Sequence, residues 1–256
     1  MDFSSKVILI TGASGGIGAS CALRFASLGA DLALVGRNSE NLENIAGKCE
    51  ETKGLRPLTI IADVSIDEDV ERIVQETIDR YGKIDVLVNN AGFLIMSGLS
   101  GDIENFDKMM ATNIRGTYLL TQKTVPYLLE TKGNIVNISS IVSIKPVPAM
   151  LGYSMTKAAM DIFTKCIALE LGPKGVRANM VNPGPVDTNL FTANSLTPEQ
   201  NNQYLSKVSE AIPLRKVSKG EDVAKLVSFL ASDDASCITG TNNIIDCGLI
   251  LGETFF

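Results

Sequence analysis

Residues 6–18 read KVILITGASGGIG. The first half is an aliphatic, β-branched run with its charge only at the start, the pattern of a strand buried on both faces. The second half, TGASGGIG over residues 11–18, is built of small residues and glycines. Residues 17–28 then show helical periodicity. A glycine-rich turn between a strand and a helix lets the backbone come close to a diphosphate. The helix N-terminus adds amide donors and the positive end of its dipole. A tight strand–helix turn alone has a similar composition, but the position after the first strand and before a helix is the context that phosphate binding requires. The glycines fall at Gly12, Gly16 and Gly18, and Cys21 stands where the last glycine of G-x-G-x-x-G would fall.

Working outward, short β-branched runs alternate with longer amphipathic stretches. Further strands are predicted at 31–35, 58–62, 84–88, 134–138 and 177–181, with a last candidate at 243–246. Helices are predicted at 40–52, 67–81, 103–129 and 153–171. Strands without polar alternation, separated by helices, indicate a parallel sheet covered on both faces, here of about seven strands. Neither a linker nor an internal repeat interrupts the 256 residues, so one α/β domain over 1–256 is expected.

The formal net charge of −6 disfavours nucleic acid and acidic membranes as partners. Five cysteines without metal-type spacing, in a chain with no histidine, leave no metal site to expect. Reduced thiols and a cytoplasmic location are the expectation. The apolar run near the N-terminus is too short for a signal sequence or a membrane span.

The second strand ends Val35-Gly36-Arg37-Asn38. A carboxylate there would hold the 2′-hydroxyl of NAD, but Gly36 offers no acceptor. The Arg37 guanidinium suits a 2′-phosphate, so NADP(H) is favoured over NAD(H).

The absence of histidine shapes the acid–base chemistry. Tyr153 and Lys157 stand four apart in YSMTK and share a helix face. A free tyrosine keeps its proton to about pH 10, and a neighbouring cation stabilises the phenolate. Ser140 precedes Tyr153 by 13 residues. A tyrosine packed on a helix beside a solvated lysine is the plain alternative.

TGASGGIG, NNAG at 89–92, Asn113 in NIRG, Ser140, YSMTK and NPG at 182–184 occur in one chain in one order. The set resembles the short-chain dehydrogenase/reductase family over nearly the whole length, most nearly its 3-oxoacyl-carrier-protein-reductase-like and carbonyl-reductase branches. The resemblance implies a Rossmann-type doubly wound fold and a homotetramer or dimer. It implies Tyr153 as general acid in reduction, Lys157 on the nicotinamide ribose, Ser140 on the substrate oxygen, and Asn113 holding a water in a proton relay. For the dinucleotide it implies Gly12, Ser14, Gly16, Ile17 and Gly18 at the phosphates, Asp63 and Val64 at the adenine, and Asn90, Ala91 and Gly92 near the ribose. Pro183, Gly184, Val186 and Thr188 would seat the nicotinamide. Relatives that prefer NADP often carry a basic residue where this chain has Gly15, so the 2′-phosphate would rest on Arg37 with Ser14 and Asn38. Many relatives also have a Gly-Gly pair where this chain has Cys247-Gly248.

Three segments are expected to line a substrate pocket: 93–96, 141–151 and 189–205. Their residues Phe93, Leu94, Met96, Ile141, Val142, Ile144, Val147, Met150, Leu190, Phe191, Leu196 and Tyr204 are mostly apolar; residue by residue, core or subunit contact is the other reading. An apolar ketone or alcohol is the expected substrate, with a 3-oxoacyl thioester as the alternative. Lys132 and Lys174 are the basic residues that an acidic carrier would need. Residues 189–222 read as a lid. A dinucleotide-binding regulator or scaffold without enzymatic activity is the competing function on the same fold.

Overall fold

The computed structural model describes residues 1–188 and 197–252. In chain order the elements are β1 (Val7–Thr11), α1 (Gly16–Ser27), β2 (Asp31–Gly36), α2 (Ser39–Lys53), β3 (Leu58–Ile61), α3 (Asp67–Tyr81) and β4 (Val86–Asn89). Then come α4 (Ile103–Met110), a π-helical segment (Ala111–Gly116), α5 (Thr117–Thr131), β5 (Asn134–Ile138), α6 (Leu151–Leu171), β6 (Arg177–Pro183), β7 (Val186–Asp187), α7 (Pro198–Ala211), β8 (Ser218–Lys219), α8 (Gly220–Ala231) and β9 (Asn242–Ile245).

Seven strands form one sheet in the order β3-β2-β1-β4-β5-β6-β9, and every pairing is parallel. Successive residues point to opposite faces. Ile8 and Ile10 therefore enter the layer under α1, α2 and α8, while Leu9 enters the layer under α3, α5 and α6. This is the single α/β domain with a doubly wound parallel sheet that the strand pattern predicts. Cys21 and Cys49 lie buried in the first layer, and burial pushes their thiols up to about 12 and about 11, which makes them packing residues.

The expected helix over 103–129 is three pieces. α4 passes through one wide π turn into α5. Gly116 ends that turn against the chain after β3: a Cβ on it would lie 2.3 Å from the Val64 carbonyl oxygen. Among the described residues no helix is long and apolar enough to cross a membrane.

The strand order reverses between β1 and β4. Loops that leave the carboxyl ends of these two strands run in opposite directions and open a crevice, the usual ligand position in such sheets. A second, two-stranded parallel pairing, β7 with β8, sits beside that edge.

Candidate active site

The crevice is a cavity of about 600 Å³. Its floor is the glycine turn, which takes a left-handed backbone at Gly12 (φ 65°) and Gly16 (φ 54°). Gly18 is not at the surface of the cavity. A Cβ there would lie 2.2 Å from the Gly12 carbonyl oxygen, so this glycine lets α1 press against the turn. The Thr11 hydroxyl accepts from the backbone N–H groups of Asn90 and Ala91, both at 3.0 Å. The Asn90 amide nitrogen donates back to the carbonyls of Thr11 (2.9 Å) and Gly12 (3.2 Å). Asn90 lines the cavity, but its amide is a strut for the turn.

The far wall carries the Ser140, Tyr153 and Lys157 side chains. Ser140 ends the chain from β5 and caps a short 3₁₀ turn, accepting from the Val142 N–H at 3.3 Å. Tyr153 and Lys157 project from α6 and are 7% and 4% exposed. The Lys157 ammonium donates to the Ile138 carbonyl at 2.8 Å and lies 5.5 Å from the centre of the Tyr153 ring. Burial lowers the Lys157 pKa to about 8, while the charge of Asp161 opposes that fall. Burial also raises the Tyr153 phenol above its ordinary value, and a hydrogen bond with the Ser140 side chain works against it. The sequence reading anticipates a phenol made more acidic by Lys157. In the structure the desolvation of the ring is the larger effect.

Asn113 sits in the π turn, wholly buried and outside the cavity lining. Its side chain is engaged by Phe93: the Phe93 N–H donates to Oδ1 at 3.0 Å and Nδ2 donates to the Phe93 carbonyl at 2.9 Å. It anchors the chain after NNAG to the helix beneath. π turns of this kind concentrate at functional sites.

All the other residues expected at the dinucleotide line the cavity: Ser14, Ile17, Arg37, Asn38, Asp63, Val64, Ala91, Gly92, Pro183, Gly184, Val186 and Thr188. Thr188 faces the glycine turn, 3.4 Å from where a Cβ of Gly16 would lie. Arg37 is exposed and pairs with Asp63 at 3.2 Å, a contact that the sequence reading missed. Burial alone would raise the Asp63 carboxyl. The Ser65 backbone N–H and hydroxyl, with the Arg37 guanidinium, hold it below its ordinary value. The Asn38 side-chain oxygen caps α2 through the Asn41 N–H at 2.8 Å, so that oxygen is spent on the helix.

The residues present fit a dinucleotide. α1 begins with no side-chain cap and no acidic residue in its first turn, so its leading amides face the glycine turn. A Cβ at Gly15 would meet nothing within 4 Å, which leaves open space over those amides.

Beyond the turn the lining is apolar. Phe93, Leu94, Ile141, Val142, Val147, Met150 and Tyr204 are there as expected, and Leu249 joins them from the C-terminal region. Met96 and Ile144 are exposed and outside the lining. Leu190, Phe191 and Leu196 lie outside the described residues. Lys132 and Lys174 precede β5 and β6, so they sit at the sheet edge opposite the cavity. They are neighbours there, with the Lys132 side chain 3.3 Å from where a Cβ of Gly175 would lie.

A family model described as enoyl-(acyl carrier protein) reductase matches residues 12–250. A glucose 1-dehydrogenase of Gluconobacter oxydans is 39% identical over 257 residues, covering 99% of this chain and 95% of that protein. A short-chain dehydrogenase/reductase of Caenorhabditis elegans, of unknown function and solved with its cofactor, superposes with a TM-score of 0.95 at 34% identity over 98% of this chain and 97% of the other. The L-sorbose reductase of Gluconobacter frateurii, solved with NADPH and L-sorbose, gives 0.90 at 30% identity over 98% of both chains. With a parallel doubly wound sheet, a glycine turn at its switch point and this extent of similarity, the chain belongs to the short-chain dehydrogenase/reductase family of oxidoreductases.

Proposed function

We propose that the chain is an NADP(H)-dependent oxidoreductase that interconverts an apolar ketone and its alcohol. The observation that carries this reading is one cavity holding the glycine turn at one end, Ser140, Tyr153 and Lys157 at the centre, and an apolar wall at the other. The dinucleotide, when bound, supplies or takes up hydride.

The chain's own residues do the rest. As a ketone gains hydride, its oxygen gains negative charge. Ser140 and Tyr153 present two hydroxyl donors to that oxygen. Tyr153 then releases its proton, and the Lys157 cation, 5.5 Å from the centre of the ring, steadies the phenolate left behind. The raised phenol pKa keeps Tyr153 protonated before the step, which suits an acid in reduction. The side chain of Asn113 is taken up by Phe93 and Thr156, so its part in the site is to hold the chain after NNAG beside Lys157.

Glucose and sorbose need several polar partners, and among the described residues the substrate end of this cavity offers few. A 3-oxoacyl group remains chemically suitable, but a basic landing surface at Lys132 and Lys174 lies at the other edge of the same chain. The nonenzymatic reading requires no buried Tyr–Lys pair beside a serine, whereas here Tyr153 and Lys157 are buried and Ser140 is half-buried beside Tyr153. Arg37 is the residue offered to a 2′-phosphate, in competition with Asp63. The 189–222 stretch is read as the lid, with Tyr204 of α7 its contribution to the described wall.

The test follows NADPH absorbance against ketosteroids, terpenoid ketones, diketones, sugars and oxoacyl thioesters. Apolar ketones should be the best substrates. Tyr153→Phe should lower kcat by about 10²–10⁴-fold, the usual worth of a general acid, with NADPH affinity retained. Undiminished turnover in that variant rejects the mechanism. Unchanged NADPH affinity in Arg37→Ala rejects the cofactor assignment.

A further inference from the structure

Asp161 lies one helical turn after Lys157 on α6 and is 6% exposed. A buried charge without partners is costly, and here the partners come from three other parts of the chain. Ser139 and Ser143, in the segment after β5, donate hydroxyls to it, the second at 2.7 Å. Asn182 Nδ2, near the end of β6, approaches its two oxygens at 3.3 and 3.2 Å. Asn242 Nδ2, at the start of β9, donates at 2.8 Å. The two amide nitrogens are donors and each hydroxyl can donate, a set of partners that suits an ionised carboxylate.

Each partner is tied to the site. Ser139 precedes Ser140, and its hydroxyl is also 3.2 Å from the Lys157 carbonyl. Ser143 shares the 3₁₀ turn that Ser140 caps, and its hydroxyl is also 2.7 Å from the Ser140 carbonyl. Asn182 precedes the Pro183-Gly184 wall, and its Nδ2 also reaches the Ser140 carbonyl at 3.2 Å. Buried charges of this kind do little for net stability compared with apolar packing. This one stands where it can orient the site and impose a field.

We propose that Asp161 is a positioning residue: its carboxylate gathers the Ser140 turn and the Pro183-Gly184 wall onto α6, and its charge, one helical turn from Lys157, favours the ammonium there. The inference takes from the proposed function only that Ser140 and Lys157 act at the substrate. Among the described residues the titratable groups facing Lys157 are Tyr153, one turn earlier on α6, and Asp161. β5 presents the Ile138 carbonyl, and the π turn presents the Asn113 amide beside Gly92. Against burial, which lowers the Lys157 pKa, Asp161 is the charge that raises it.

The test is a pH titration of ¹³Cε-labelled lysine by NMR, on the protein without substrate, with the Lys157 signal assigned from Lys157→Arg. In Asp161→Asn the Lys157 midpoint should fall by about one unit or more, the usual effect of losing a close opposite charge. The alkaline limb of reductive kcat should move down by the same amount. A purely structural role would lower kcat at every pH and leave both positions unmoved. A folded Asp161→Asn with the wild-type midpoint overturns the proposal. Should that variant not fold, Ser143→Ala and Asn242→Ala remove donors while leaving the charge. Each should lower kcat several-fold with the midpoint unchanged, and wild-type kcat in both overturns the positioning role. The NMR midpoint is read without turnover, so it stands even where Tyr153→Phe rejects the oxidoreductase reading.

Discussion

Lys157 is the residue whose surroundings set the pH behaviour of the site. Its folded pKa, about 8, lies below that of a free lysine because the ammonium is buried. The ammonium is therefore present below pH 8 and is lost as pH rises through that value. Reductive kcat, which needs the cation beside Tyr153, should be flat at neutral pH and fall up to about tenfold per unit above pH 8. The oxidative direction starts from the phenolate that the same cation steadies, so its rate should rise with pH up to about 8 and level off above it as the ammonium is lost. Measurement of kcat in both directions from pH 6 to 10 at saturating dinucleotide checks this; a reductive rate that stays level to pH 10 contradicts it. The Tyr153–Lys157 spacing is legible in the sequence because both lie on one helix. Asp161 has the same spacing from Lys157, but nothing local marks it. Its partners stand 18 to 81 residues away and meet only across β5, β6 and β9. The Arg37–Asp63 pair is hidden for the same reason, since its members follow adjacent parallel strands 26 residues apart.

At the scale of elements, the first strand, the glycine turn and α1 were readable because strand period, glycine content and helix period change over a few residues. The break in the helix over 103–129 was not readable. A π turn adds one residue to one turn, which a 3.6-residue pattern absorbs without a visible fault. The glycine that closes the turn is explained only in three dimensions, where a Cβ on Gly116 would lie 2.3 Å from the Val64 carbonyl. The glycine turn itself divides into two kinds of position. Gly18→Ala drives a methyl group into the Gly12 carbonyl and should cost about 1–3 kcal/mol of stability, with dinucleotide affinity reduced as the turn shifts. Gly15 has an extended backbone (φ −176°) that any residue adopts, and open space around it. Gly15→Arg should leave the melting temperature near wild type and raise the NADPH over NADH ratio of kcat/KM by about tenfold, one added charge-assisted hydrogen bond. Thermal melts and paired cofactor kinetics separate the two positions.

For the whole molecule, the assembly follows from which apolar residues stay outside. Met109 of α4 and Met160 of α6 are wholly buried core. The exposed stripe on α6 is instead Met155, Ile162 and Leu169, at 50%, 61% and 80% exposure and seven residues apart. Tyr118 of α5 adds to it beside Phe163. A stripe of this size on a helix pair is the kind of surface that pairs with a second copy of itself about a two-fold axis. If this stripe is a subunit contact, Ile162→Glu with Leu169→Glu should lower the sedimentation coefficient, with the fold retained by circular dichroism; an unchanged sedimentation coefficient contradicts this interface.

The short β7–β8 pairing carries one more consequence. Val186 and Asp187 lie hydrogen-bonded beside Ser218 and Lys219, so the chain leaves the sheet edge and returns to it at neighbouring points. An excursion with adjacent ends can be lengthened, shortened or exchanged at small entropic cost, because its closure does not depend on what lies between. The 188–217 stretch is therefore a cassette, clasped at its base. On the proposed function this stretch carries the substrate lid, so a segment grafted between Asp187 and Ser218 should change substrate range while the sheet, the glycine turn and the Tyr153–Lys157 helix stay fixed.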